Sequence, residues 1–136
     1  MSGLRAINPP GWARPKGYSN AIVGRGTFVM VAGQVGWNAA QQLASDDFIA
    51  QLRQALVNTV EALAAAGAKP EHVARMTWYV TDKKRYLGRM SEVGAAWRDI
   101  MGRTFPAMTL VEVSGLLEDR ALIEIESTAI LPDAAT

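Results

Sequence analysis

Three glutamates, Glu112, Glu124 and Glu126, are the residues of this chain best suited to proton chemistry. Glu124 and Glu126 are two positions apart in an alternating apolar segment, so they share one face of a strand. A carboxylate in a partly apolar setting is a candidate to hold a water or pass a proton. Acidic pairs in such a pattern more often form a solvated face, so the spacing leaves both readings open. A second group is Ala32-Gly33-Gln34-Val35-Gly36-Trp37. Glycine at a strand end lets a ligand or another backbone come close, though a bulge without a ligand reads equally well. No helix starts directly after it and no Lys-Ser/Thr follows, so it is not a phosphate loop. The third group is Phe105-Pro106-Ala107-Met108-Thr109, where the proline ends a loop and a strand begins. Met108 is polarizable and adaptable, and methionine usually serves as packing. Trp12 and Trp37 lie in loops beside glycines and suit a pocket wall or an interface. Trp78 and Trp97 fall on apolar stripes and read as core.

The composition narrows the chemistry further. The 136 residues fit one domain, 1–136, with 1–17 as an N-terminal arm. Fourteen Lys and Arg against thirteen Asp and Glu give a net charge of +1, which argues against a surface built to grip nucleic acid or an anionic membrane. The absence of cysteine excludes disulfides, thiolate zinc sites, iron–sulfur clusters and cysteine nucleophiles. One histidine, His72, cannot build a multi-histidine metal site, and nothing around it points to a triad. No signal peptide or membrane-length apolar run is visible, so the expected compartment is the cytoplasm.

These residues need elements to position them. Residues 9–17 hold three prolines and two glycines, which forbid regular structure. Residues 18–23 are short and suit an edge strand, with Gly24-Arg25-Gly26 as a hairpin turn. Residues 27–35 form a strand rich in β-branched and aromatic residues. Residues 46–66 form a helix with a buried stripe of Phe48, Ile49, Leu52, Leu56, Val60 and Leu63, an N-cap at Ser45 and a terminating Gly67. A strand over 73–81 places Met76, Trp78 and Val80 on one face and Arg75, Thr77, Tyr79 and Thr81 on the other. Asp82 caps a second helix running to about Met101, its stripe being Tyr86, Leu87, Met90, Val93, Trp97 and Ile100. Strands over 108–113 and 122–130 follow. The order β-β-α-β-α-β-β is an α+β domain with two helices on one face of a mixed sheet. The 27–35 strand is nevertheless apolar on both faces, with Phe28, Met30 and Ala32 opposite Val29, Val31 and Val35. An uncovered apolar face of that size is rare on a soluble monomer, so a second copy of the chain is expected to cover it.

Several blocks of the chain resemble, in order, those of the Rid (reactive intermediate deaminase) family, also called the endoribonuclease L-PSP or translation-initiation-inhibitor family. They are Gly17-Tyr18-Ser19-Asn20-Ala21-Ile22, Ala32-Gly33-Gln34, Asn58, Val80-Thr81-Asp82, Phe105-Pro106-Ala107, Val111-Glu112-Val113 and Ile123-Glu124-Ile125-Glu126. The resemblance implies a chorismate-mutase-like α+β fold and a homotrimer with clefts between subunits. It implies hydrolysis of imines and enamines to carbonyl products and ammonia, with no metal or organic cofactor. By the same resemblance Glu124 positions the attacking water. Also by the resemblance, Tyr18, Gly33, Gln34 and the backbone around Thr109 and Leu110 line the substrate site, and Trp37 and Ser91 are further substrate-site candidates.

At Met108 the chain departs from that pattern, because the deaminating members carry an arginine there. A guanidinium makes a two-pronged, charge-assisted contact with a carboxylate, and methionine offers neither charge nor donors. Leu110 stands where a cysteine is common and Ala32 where a serine is, so three polar positions have become apolar together. The expected reading is a deaminase-type hydrolase with an altered substrate range, a poor catalyst for small imino acids. Trp12 and Trp37 are possible walls, and Arg14, Lys16 or Arg75 is a possible replacement anchor. The alternative is a trimer that binds a small molecule, or acts as a chaperone, without catalysis. RNA cleavage ranks last, given the balanced charge and the lone histidine.

Overall fold

The longest helix, α1 (Phe48–Ala65), buries Phe48, Ile49, Leu52, Leu56 and Leu63 along the stripe its periodicity predicts, together with Ala55 and Thr59. The computed structural model describes residues 3–133. The N-cap is Asp47 rather than Ser45. Its carboxylate accepts from the Ala50 N–H at 3.0 Å, while the Ser45 Oγ accepts from the Asp47 N–H one step outside the helix. At the other end Gly67 takes φ +82°, and the Ala68 N–H reaches the Leu63 carbonyl at 2.8 Å while the Gly67 N–H reaches that of Ala64. This paired closure of the last turn needs the left-handed conformation that glycine supplies.

Six strands, β1 (Arg5–Ile7), β2 (Ala21–Val23), β3 (Thr27–Gln34), β4 (Val73–Val80), β5 (Ala107–Glu112) and β6 (Ile123–Leu131), form two sheets among the described residues. The main sheet has the order β3-β6-β4-β5, with β4 and β5 parallel and the other pairs antiparallel. It is the expected mixed sheet. The hairpin expected at Gly24-Arg25-Gly26 is absent, because β2 pairs with β1, a strand in the N-terminal arm ahead of the irregular stretch 9–17. The segment instead carries the chain from one sheet to the other. Gly26 is there for close approach, since a β-carbon on it would collide with the Leu131 carbonyl.

The second helix is two helices, α2 (Lys83–Leu87) and α3 (Met90–Met101), broken at Gly88-Arg89. Arg89 leaves the helical path to pair with Asp47 at 2.6 Å and Glu92 at 2.7 Å. The break undoes part of the expected apolar stripe: Val93 and Trp97 are buried, but Leu87 and Met90 are 58% and 54% exposed. The core lies between α1, α3 and the face of the main sheet carrying Val31, Met76, Trp78, Val80, Ile123 and Ile125. The opposite face is open in the single chain, and Phe28 and Met30 are 62% and 70% exposed on it. His72 is structural, its Nδ1 accepting from the Lys69 N–H at 2.9 Å.

Candidate functional site

The pleat divides the candidate residues between the two faces of the main sheet. Met108 and Leu110 pair in register with Met76 and Trp78 of β4, so their side chains point toward the helices. Thr109 pairs with Thr77 and faces the other way. On β6, Ile123 and Ile125 are buried toward the helices, while Glu124 and Glu126 lie on the open face. Met108 and Glu124 of one chain therefore stand on opposite sides of the sheet.

On the helix side, Met108 and Leu110 help line a cavity of about 430 Å³. Its walls are Trp78, Tyr86, Met90, Val93, Gly94 and Trp97, and its mouth carries Lys16, Gly17, Tyr18, Arg98 and Phe105. Trp78 anchors the aromatic wall, edge-on to Tyr86 at 6.4 Å and tilted against Trp97 at 6.0 Å. The Trp97 Nε1–H donates to the Thr104 carbonyl at 2.9 Å, fixing the loop that delivers Phe105. Tyr18 reaches the same place because its neighbour Ser19 is strapped to that loop. The Ser19 N–H donates to the Pro106 carbonyl at 3.0 Å and its hydroxyl to that of Phe105 at 2.6 Å. The buried Trp78 Nε1–H has no acceptor.

The three glutamates separate, Glu112 in register with Val80 on the helix side of the sheet and Glu124 and Glu126 on the open face. Glu112 Oε1 accepts from the Lys83 N–H at 3.0 Å and so holds the start of α2. Glu126 Oε1 accepts from the Tyr79 hydroxyl at 2.6 Å, and that contact holds the Tyr79 phenol above its ordinary pKa. Glu124 accepts no hydrogen bond from the described residues. Its carboxylate rests on Gly33, where a β-carbon would come within 2.8 Å of Oε1. Gly33 lies in the register shift between Val31 and Gln34, so the glycine serves a bulge and a close approach together. Gly36 has a different role: a β-carbon there would lie 2.6 Å from the Gln51 Cα of α1.

The remaining expected site residues are scattered. Gln34 donates to the Ala32 carbonyl at 3.1 Å. Trp37 is half-buried, its carbonyl held by the Asn58 side chain at 2.8 Å, and it lines neither this cavity nor the second depression. Trp12 is 65% exposed and also lines neither. The tryptophans in the wall are Trp78 and Trp97, the pair expected in the core. Trp78 and Trp97 are in the buried core as expected and line the cavity as well, whereas the pocket-wall expectation for Trp12 and Trp37 is not met in the single chain. Ser91 is exposed on the first turn of α3, beside Met90 but outside the cavity lining. Of the possible replacement cations, Lys16 borders the cavity and Arg14 does not. Arg75 lies by Glu126 in a depression of about 290 Å³ that also includes Met30 and Thr77. Arg98 and Gly94 were not singled out by sequence, since nothing in the α3 stripe distinguishes a cavity wall from packing.

An α+β sheet of this order, with helices on one face and an aromatic cavity at the β5 edge, defines a class. The family model described as endoribonuclease L-PSP matches residues 12–131, and the chain belongs to that family, the Rid family. A conserved Rid-family protein of Yersinia pestis, described as of unknown function, superposes with a TM-score of 0.84 at 34% identity, covering 95% of this chain and 99% of that one. A RutC family protein of Pyrococcus horikoshii is 37% identical over 113 residues, 82% of this chain and 85% of its own length. A protein of Salmonella typhimurium named 2-iminobutanoate/2-iminopropanoate deaminase is 32% identical over 108 residues, 77% of this chain and 80% of its own. No helix among the described residues is long and apolar enough to cross a membrane.

Proposed function

We propose that this chain is a cytoplasmic, homotrimeric deaminase-type hydrolase acting on imines or enamines, with Glu124 holding the attacking water. The reaction adds the water oxygen to the C=N carbon, moves protons to nitrogen and breaks the C–N bond, giving a carbonyl product and ammonia. The observation that carries the reading is that Glu124, alone of the three glutamates, keeps a carboxylate without a protein hydrogen bond, seated on a glycine. A carboxylate so placed can accept a hydrogen bond from water and direct its lone pair.

The same geometry supports an assembly. Within one chain the sheet separates Glu124 from the Met108 cavity, so a crevice with both must be made by two copies. The exposed Phe28 and Met30 support burial of the open face against another subunit. Tyr18, Met108 and Leu110 would then come from one subunit, and Gly33, Gln34, Thr109 and Glu124 from the surface its neighbour presents. Ser91 and Trp37 belong to the rim in this reading.

The test is hydrolysis of a panel of imines generated in situ, with ammonia release as the readout. Glu124→Gln is expected to lose turnover while keeping its oligomeric state, and undiminished turnover would remove Glu124 from the mechanism. A panel without any rate above background, combined with ligand-dependent thermal stabilisation, would favour a non-catalytic binding trimer.

A further inference from the structure

The cavity at the β5 edge is wider than a three-carbon acid requires, and two cations at its mouth are unengaged. Arg53, Arg89 and Arg120 each pair with a carboxylate, whereas neither Arg98 nor Lys16 forms an ion pair with the described residues. Arg98 follows Gly94 by one helical turn, so the two share a face of α3. A β-carbon on Gly94 would stand 3.3 Å from Arg98 Nη1, so the guanidinium lies across the gap that the missing side chain leaves. The same cavity is lined by Trp78, Trp97 and Tyr86, with the Trp78 indole packed against each of the other two rings. Met108 also lines the cavity and presents no charge to an anion.

We propose that this cavity receives an aromatic 2-imino acid, its ring against the Trp78–Trp97–Tyr86 wall and its carboxylate on Arg98 and Lys16 at the mouth. The proposal rests on the deaminase reading and names the substrate class of that site. Cavities of roughly 300–1,000 Å³ with apolar walls and a few polar groups take ligands larger than a three-carbon acid, and aromatic faces favour another ring by stacking and area burial. Arg98 supplies the fork geometry that a carboxylate prefers. The arrangement also has a consequence for the chemistry. In a 2-imino acid the C=N carbon is bonded to the carboxyl carbon. Holding the carboxylate at the mouth therefore keeps the reacting carbon at the mouth too, where a carboxylate from a second copy could approach it.

Binding of the stable keto-acid products isolates the proposal from turnover. Calorimetric titration of the intact protein with phenylpyruvate and with pyruvate is expected to show phenylpyruvate binding at least tenfold tighter. Arg98→Met is expected to weaken phenylpyruvate by roughly tenfold, the loss of one charge-assisted contact at a solvent-accessible rim. Gly94→Leu, which improves helix propensity and fills the gap, is expected to abolish phenylpyruvate binding while retaining the fold. Equal affinity for the two acids, or phenylpyruvate binding untouched by Gly94→Leu, would overturn the cavity assignment. Binding untouched by Arg98→Met would overturn the anchor. Calorimetry reads occupancy whether or not an imine is hydrolysed. A chain that binds phenylpyruvate but releases no ammonia would overturn the catalytic reading alone, and one that hydrolyses small imines without binding phenylpyruvate would overturn this inference alone.

Discussion

The Glu124 carboxylate lies directly on the backbone of Gly33, so close that a methyl group at residue 33 would come within 2.8 Å of Oε1. No other residue type fits at position 33 while Glu124 keeps its present rotamer. Gly33→Ala is therefore expected to swing the carboxylate away while leaving the core intact, because position 33 is exposed. A displacement of about 1 Å in a reacting group costs on the order of 10²-fold in rate. Ammonia release should fall by that order with the thermal transition little changed, and unchanged turnover would show that the carboxylate position is immaterial.

Met108→Arg tests the opposite face of the sheet. A guanidinium there would restore a charge-assisted partner for a small imino acid, a contact worth roughly 2–5 kcal/mol when truncated elsewhere. At about 1.4 kcal/mol per decade, turnover of 2-aminoacrylate should rise by about 1.5 to 3.5 orders of magnitude. An arginine variant no better than the parent on that substrate would show that Met108 does not set substrate range.

Phe28 and Met30 stand on an apolar surface with nothing over it in the single chain. Phe28→Lys places a charge where the proposed subunit contact is dry, and an unpaired buried charge costs several kcal/mol. Light scattering is expected to find a trimer in the parent and 14.7 kDa monomers in the variant. A parent that is itself monomeric, or a variant that stays trimeric, would place any contact elsewhere.

Tyr79 donates its hydroxyl proton to Glu126 at 2.6 Å, and losing that proton would set two negative charges side by side. The phenol is therefore held above its ordinary value of about 10. A tyrosine whose folded pKa is raised contributes stability below its unfolded pKa and loses it as pH rises through the folded one. Ultraviolet titration, with Tyr79→Phe to assign the signal, should show Tyr79 ionising above the ordinary tyrosine range. Glu126→Gln should bring it back toward the ordinary range.

Arg89 bridges Asp47 of α1 and Glu92 of α3 and holds both carboxyls below their ordinary values. Depressed carboxyls contribute stability above their unfolded pKa, and that contribution fades as pH falls through the folded values. Arg89→Met should lower thermal stability modestly at neutral pH, with the gap to the parent closing below about pH 4. The pairs are solvent-exposed, so 1 M salt should shrink the difference as well.

Much of the frame was legible in the sequence because it follows from side-chain period. The α1 stripe, the two-faced β4 strand and the alternation of β6 all depend on which residues leave water, and periodicity reports that directly. The Gly88-Arg89 break was not legible. It depends on an arginine finding Asp47, 42 residues earlier in the chain. The β1–β2 pair was missed for a similar reason: three-residue strands carry no usable alternation, and their meeting is fixed at a distance, with Asn20 donating to Asn8 Oδ1 at 2.9 and 3.0 Å. At the site, the glutamates could be picked out but not sorted, since what separates them is the tyrosine beside one and the helix start beside another. The cavity was invisible because the pattern that puts Trp97 inside says nothing of whether its neighbours fill the space, and Gly94 leaves part of it empty.

The strap from Ser19 to the Phe105–Pro106 carbonyls also bears on how the molecule survives at high concentration. Strand β5 is an outer strand of the main sheet, and an unpaired outer strand is a template for fibril growth. By bridging to Ala107 alongside β5, Ser19 occupies the end of that edge at which a foreign strand would begin to zip on. The segment at Ser19 thus covers that end of the edge, and a chain trimmed past Ser19 is expected to aggregate more readily.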